Sequence, residues 1–261
     1  MRKFSIIVPA YHTPDLVHVL IKTFEKFRPN DVENHYVIVE NSNDSSYKDH
    51  TLSLAESVTW VQNPKADASK MNAGTFIGSP GSTANVMGIM AGLEYIDDDF
   101  VFIAHCDVCI TSQSFYDEIF NARDKGYDLI GTSIDNSRIN AIHQSGFYVK
   151  TDLISKVDLM PQLHQGQTIL DACDSITKYC RDNSRPILCF KNTFNMPSLV
   201  DTLDEPWKSF HVDRCIDSSG NVMFMHLGRG VPKSFNAYNK PNRVYLPGWN
   251  EFYLRYLSNE N

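Results

Sequence analysis

Phe4-Ser5-Ile6-Ile7-Val8-Pro9-Ala10, followed within three residues by Thr13-Pro14-Asp15, is the stretch whose reading decides the fold. Its first part is β-branched and apolar and is stopped by Pro9, which predicts a buried strand. Thr13 is a capping residue type and Pro14 suits a first helical turn. Leu16, Val19, Leu20, Thr23, Phe24 and Phe27 then recur at helical spacing. Tyr36 to Glu40 (YVIVE) predicts a second buried strand, which runs into the polar cluster Asn41 to Ser46. Val58 to Gln62 predicts a short third strand. Strand, helix, strand, loop, strand in this order implies an α/β fold, with a mixed, mostly parallel sheet and helices on both faces.

Beyond the third strand, Asn63 to Gly81 is polar and glycine-rich, a long connection that reads as an active-site loop or a surface excursion. Ser82 to Ile96 predicts a helix, and Phe100 to His105 (FVFIAH) the next central strand. Further strands are expected at Asp128 to Ser133, Gly146 to Lys150 and Pro186 to Phe190, with a helix over Gln167 to Arg181. The chain after Phe194 is irregular and punctuated by prolines, apart from a strand pattern at Val222 to His226. The expected organisation is a first half over 1–110, a second half of the same domain over 111–230, and an extension or lid over 231–261.

The chain has 261 residues and a formal net charge of −7. That balance offers no global attraction to nucleic acid or to an anionic membrane. No apolar run is long enough to span a bilayer, and Met1 to Ser5 leads straight into a strand pattern without a signal peptide's apolar core, so a cytoplasmic location is expected. The six cysteines follow no framework spacing. Cys106-Asp107-Val108-Cys109 is formally C-x-x-C, but it lacks a second pair for zinc and the helix-start context of a redox motif.

Ligands of open parallel sheets bind beyond the C-terminal strand ends. Here those ends read Pro9-Ala10-Tyr11, Glu40-Asn41-Ser42-Asn43, Gln62-Asn63 and His105-Cys106-Asp107. On adjacent strands they would form one polar rim. The absence of G-x-G-x-x-G and of G-x-x-x-x-G-K-[ST] removes the main support for dinucleotide oxidoreduction and for P-loop phosphoryl transfer. His105-x-Asp107 alternates, so on a continued strand both side chains face one side. Either they share a divalent cation, or Asp107 caps a turn and His105 is a satisfied polar residue. Arg229, between two glycines, has room to approach a phosphate closely. His143-Gln144-Ser145 reads as a plain loop, or as an acceptor contact. Trp207, His211 and Trp249 are either core residues or aromatic platforms for sugar rings.

Taken in order, these motifs resemble those of the family 2 glycosyltransferases, whose fold is GT-A. The resemblance rests on Phe4 to Tyr11, on Val37 to Ser42, on Asn63, on Asn85-Val86-Met87-Gly88, and on the apolar strand ending at His105-Cys106-Asp107. It covers roughly the first 110 residues. It implies a nucleoside held by Pro9, Tyr11, Glu40 and Asn63, with Asn85 on the following helix. It also implies that Asp107 contacts a manganese or magnesium ion and that a late histidine, His226, contributes to the metal or the diphosphate. In Leu170-Asp171-Ala172-Cys173-Asp174 it implies a general base, Asp171 first and Asp174 as the alternate, because an attacking hydroxyl must lose a proton. The chain departs from the family where His105 replaces the first aspartate of D-x-D, which leaves His105 as a contact to the donor sugar or ribose. Glu40 likewise replaces a more common aspartate.

The implied activity is an inverting, metal-dependent transfer of a sugar from a nucleotide-diphosphate donor to a hydroxyl acceptor such as a glycan. Two alternatives stand beside it: a sugar-phosphate nucleotidyltransferase, and a non-catalytic carbohydrate-binding protein on the same fold.

Overall fold

In the computed structural model, which describes residues 1–71, 77–210, 212–228 and 246–258, strands form where the sequence is most continuously apolar. The first half contains β1 (Arg2–Ala10), α1 (Pro14–Lys26), β2 (Val32–Glu40), the short α2 (Lys48–Leu52), β3 (Val58–Gln62), α3 (Pro80–Leu93) and β4 (Phe100–Ala104). The chain continues through β5 (Val108–Ile110), α4 (Ser114–Asp124), β6 (Leu129–Gly131), β7 (Ile134–Asp135), β8 (Ala141–Ile142), β9 (Gly146–Lys150) and α5 (Thr151–Ile154). The last elements are β10 (Gln162–His164), β11 (Gln167–Leu170), α6 (Asp174–Asp182), β12 (Ile187–Cys189), β13 (Lys191–Asn192), β14 (Asp213–Ile216), β15 (Val222–His226) and α7 (Leu246–Phe252).

Seven strands make the main sheet in the order β12-β6-β9-β4-β1-β2-β3. β1 pairs in parallel with β2 on one side and with β4 on the other, and only β9 runs against its neighbours. The chain thus moves from β1 outward through β2 and β3, then returns to the opposite side of β1. This reversal opens a crevice at the C-terminal ends of β1 and β4. A second, antiparallel sheet of order β13-β14-β15-β5 stands beside the first.

Alternation along the strands divides the core in two. Phe4, Phe24, Phe102, Phe115, Tyr116, Phe120 and Tyr148 interlock on the α1 and α4 face, with Phe4 stacked on Tyr148 at 5.2 Å between ring centroids. Ile7, Val39, Val101 and Ile103 face the other way, onto Val86 and Ile89 of α3, Leu153 of α5 and Ile176 of α6. A third cluster joins α1 and the second sheet to Trp249, Phe252 and Leu257. Of the expected extension or lid over 231–261, the described part after Leu246 is therefore docked in the core. Trp249 is buried there, as a core residue and not a sugar platform, and Trp207 packs on Phe252 at 5.5 Å. His211 lies outside the described residues.

Three local expectations are corrected. Gln167 to Arg181 is not one helix: β10 and β11 form a hairpin whose two-residue turn, Gln165 and Gly166, has φ of 50° and 79°, and α6 begins only at Asp174. Two consecutive positive φ values match the twist of an antiparallel hairpin, and this turn signal overrides the apolar spacing. Thr13 stands at the N-cap of α1 but makes no capping hydrogen bond, and its hydroxyl turns to Cys106 Sγ at 3.4 Å. β14, within the stretch read as irregular, is a strand.

The Asn85-x-x-Gly88 pattern acquires a packing meaning. A Cβ on Gly88 would lie 3.0 Å from Pro9 Cβ, and one on Gly92 would lie 2.7 Å from Ile7 Cγ2. Both glycines let α3 press its backbone onto β1 and β2. Gly92→Ala should therefore overpack this contact and cost about 1–3 kcal/mol in urea unfolding, despite alanine's better helix propensity. Unchanged or increased stability would refute the close approach.

Candidate metal and nucleotide site

β4 ends at Ala104, opposite Gly146 of β9, and His105 extends the ladder by donating its N–H to Ser145 O at 3.2 Å. The chain then leaves the main sheet and enters the second one at β5, so His105-Cys106-Asp107 is the joint between the two sheets. β15 pairs with β5 so that His226 opposes Val108, and the Leu227 N–H donates to Asp107 O at 2.9 Å. Gly228, at φ 81°, turns its N–H onto Asp107 Oδ2 at 3.1 Å. On the other side of β15, Asp213 opposes His226 and its Oδ2 lies 3.3 Å from His226 Nδ1.

These pairings converge His105, Asp107 and His226, whose ligand atoms lie within 4.8 Å of one another. Asp107 Oδ1 is 3.4 Å from His226 Nε2 and 3.9 Å from His105 Nδ1. His226 Nε2 is buried and makes no aligned hydrogen bond. Burial opposes charge on His226, but the Asp107 carboxylate and then Asp213 outweigh it and push the imidazole up to about 10. Burial likewise works against the Asp107 charge, and His226 with the Gly228 N–H holds that carboxyl below the usual range. Burial brings His105 down to about 4, against the pull of Asp107. Two nitrogens and a carboxylate oxygen with these orientations are a fitting donor set for a divalent cation.

A third imidazole belongs to the same group. His143, just after β8, lies 5.7 Å from His226 and 5.9 Å from His105 between ring centroids. Its Nδ1 accepts the Ser145 N–H at 3.1 Å, so the proton of the neutral ring sits on Nε2. Burial, followed by the charges of His226 and His105, keeps it neutral down to about pH 3. His143 is thus a fixed hydrogen-bond donor.

The cluster opens into a cavity of about 620 Å³, whose walls include Pro9, Tyr11, Asn41, Asn85, Arg138, His143, Asp171 and Phe194. No family model and no curated protein matches the chain. Among solved structures it is similar to the mannosyltransferase PcManGT of Pyrobaculum calidifontis, solved with GDP-Man and Mn2+. That match has 12% identity and a TM-score of 0.50, over 72% of this chain and 54% of that one.

The fold is GT-A.

Lower-scoring similarities are to Staphylococcus aureus TarS and to Mycobacterium tuberculosis glucosyl-3-phosphoglycerate synthase with Mg2+ and UDP. TarS matches at 16% identity and TM-score 0.47, over 73% of this chain and 58% of that chain. The synthase matches at 10% identity and TM-score 0.48, over 72% and 68%. The chain spans little more than half the length of the first two structures.

Within this GT-A frame, the four strand ends do form one rim, but their side chains part company. Pro9, Tyr11, Asn85, His105, Asp107 and His226 all line the cavity. Tyr11 is held at the edge by its hydroxyl on Asp67 Oδ1 at 3.2 Å, and Asn85 donates to Gln144 Oε1 at 2.6 Å. Glu40 and Asn63 are not among the lining residues. Glu40 is fully buried and accepts from Ser42 Oγ at 2.6 Å, from the Tyr47 hydroxyl and from the His12 N–H. Burial raises its carboxyl above the usual range. It fixes the turn after β1, where His12 has φ 51°. Asn63 donates to Asn41 Oδ1 at 3.1 Å and ties β3 to α3 through Met87 O. Arg229 lies outside the described residues.

Asp171 and Asp174 also divide. Asp171 lines the cavity, with Oδ1 on the Ala172 N–H at 2.8 Å and Oδ2 3.8 Å from Arg138 Nη1. Asp174 is buried behind it, accepting the Asp171 N–H at 2.8 Å and Arg138 Nε at 2.7 Å. Its oxygens hold the wall. Arg138, His143 and Asp213 are site residues that the sequence reading did not assign, apart from the loop-or-acceptor alternative for His143.

The C-x-x-C pair is chemically quiet. All six cysteines are free, and burial pushes Cys106 and Cys189 up to about 12, Cys180 up to about 11, and Cys109, Cys173 and Cys215 above the usual range. A raised thiol stays protonated below its pKa and is a poor nucleophile. At about pH 8, native protein should react slowly with Ellman's reagent, and denatured protein should react at all its thiols. A fast-reacting native thiol would contradict this burial.

Proposed function

We propose that the chain is a metal-dependent, inverting glycosyltransferase, working in the cytosol, that moves a sugar from a nucleoside diphosphate donor to a hydroxyl acceptor. The observation that carries this reading is the His105, Asp107 and His226 cluster opening into the cavity at the β1/β4 reversal of a GT-A fold. The Pyrobaculum mannosyltransferase, solved with GDP-Man and Mn2+, lends support. A divalent cation held by these residues supplies charge neutralisation for the diphosphate leaving group.

The remaining roles belong to the chain. Pro9, Tyr11 and Asn85 bound the nucleoside end of the cavity, while Glu40 and Asn63 hold the turns behind it. His143 donates from Nε2 to a hydroxyl of the donor sugar. Asp171, whose carboxylate borders the cavity, accepts the proton of the acceptor hydroxyl as that oxygen attacks the anomeric carbon and the bond to the diphosphate breaks. Arg138 and Asp174 keep Asp171 in place. Nucleotidyl transfer is the less favoured reading, because no glycine-rich basic loop follows β1.

Thermal shifts with nucleoside diphosphates, with and without Mn2+, test the proposal. A ligand that prefers the folded state must raise the melting temperature by mass action. One nucleotide should give a metal-dependent shift in the native protein and none in Asp107→Ala. Turnover should release the nucleoside diphosphate, and pyrophosphate release would instead favour the nucleotidyltransferase. Absence of any nucleotide shift would overturn the donor site. Asp171→Asn should keep the shift while lowering kcat by roughly 10²- to 10⁴-fold. An undiminished kcat would remove Asp171 as base.

A further inference from the structure

We infer that His105 is a nitrogen ligand, and that the centre is a two-imidazole, one-carboxylate site which takes first-row transition cations, Co2+ and Zn2+ ahead of Mn2+, and discriminates against Mg2+. This rests on the proposed metal-dependent reading of the same site. It extends that reading by assigning His105 to the cation, rather than to the donor sugar or ribose.

The geometry gives His226 and Asp107 one atom for the centre and a separate partner for the other. His226 has Nδ1 on Asp213 Oδ2 at 3.3 Å, which leaves the buried Nε2 directed at Asp107. A carboxylate on the far nitrogen is the arrangement that fixes a metal-binding histidine's tautomer and ring orientation. Asp107 has Oδ2 on the Gly228 N–H at 3.1 Å, which leaves Oδ1 between the two rings. His105 Nδ1 points to the same oxygen at 3.9 Å. Ligands about 2.1 Å from a tetrahedral ion are about 3.4 Å apart, so the observed 3.4 Å already fits, the 3.9 Å has to close by about half an ångström, and the two nitrogens, within 4.8 Å of each other, by at most about 1.4 Å.

His143 is not a further ligand, because its Nδ1 lone pair is taken by the Ser145 N–H. The described donor set is therefore two nitrogens and one oxygen. Mg2+ demands oxygen ligands in a near-octahedral shell and gives up water reluctantly. Imidazole favours transition cations, with affinity rising along the first row toward copper. A site that offers Mg2+ one carboxylate oxygen and two imidazoles is a poor match for it.

Calorimetric titration of the full chain with Mn2+, Co2+ and Mg2+ alone, with no nucleotide, reads the selection directly. Co2+ should bind about tenfold or more tighter than Mg2+, with Mn2+ between the two. His105→Asp, checked for an unchanged melting curve, should shrink that ratio by converting one nitrogen to oxygen. Pulsed electron paramagnetic resonance of Mn2+ on the unaltered protein should show couplings from two imidazole nitrogens, and needs no variant to fold.

Comparable Mg2+ and Co2+ affinities, or Mn2+ coupling to one nitrogen or none, would overturn the inference. These readouts use the metal alone. Failure of glycosyl transfer would therefore show in the nucleotide shifts and product analysis, while an equal Mg2+ affinity would leave the transferase reading standing.

Discussion

A buried carboxylate has to be answered, and much of this architecture answers Asp107. Left alone in an apolar interior, its charge would cost several kcal/mol or more. Here the Gly228 N–H and His226 surround it, and its own carbonyl accepts the Leu227 N–H. The requirement fixes register. Side chains alternate along a strand, so a one-residue slip of β15 against β5 would turn His226 to the opposite face and leave both it and Asp107 unmatched. The same slip would separate His226 from Asp213 across β14. Asp107 thus pins the register of the second sheet at the point where the chain enters it from the first.

The parts of the fold that were legible in the sequence are those that bury continuous β-branched runs. β1 to β4 and β9 follow directly from such runs, and the residues that open the cavity stand just past their ends. Less legible were elements whose burial depends on partners far away in sequence. β14 reads Asp213-Arg214-Cys215-Ile216, too short and too polar to show a period. It is buried because the Arg214 guanidinium donates to the carbonyls of Trp207 at 2.6 Å and Phe210 at 2.9 Å. Without that strand in view, nothing marked Asp213 as the partner of His226.

Glu40 and Asn63 show a different limit. A polar residue at a strand end can face a ligand or fold back on its neighbours, and residue type does not decide between them. Ser42 and Tyr47 were the available signal for Glu40, since hydroxyls nearby in sequence compete for a carboxylate. For Asp171 and Asp174, the resemblance pointed to the segment, but the sequence carries no sign of their order of depth. Arg138 decided that order. It binds Asp135 at 3.0 Å and Asp174 at 2.7 Å, joining the β7–β8 hairpin to the start of α6, and it leaves Asp171 on the open side. Asp135-Asn136-Ser137-Arg138 reads in the sequence only as a polar turn.

The two glycines of α3 constrain what this protein can become. The first turns of that helix supply Gly81, Ser82, Ala84 and Asn85 to the cavity, while its later turns rest backbone-to-sheet at Gly88 and Gly92. A helix seated that closely has no slack with which to tilt away from a bulkier guest, and side chains added beneath it would lever it off the sheet. Descendants of this chain that hold a different ligand in this cavity would have to remodel the opposite bank, around His143, Arg138 and Phe194, where loops tolerate replacement. The α3 side would serve as a fixed gauge against which new specificities are cut.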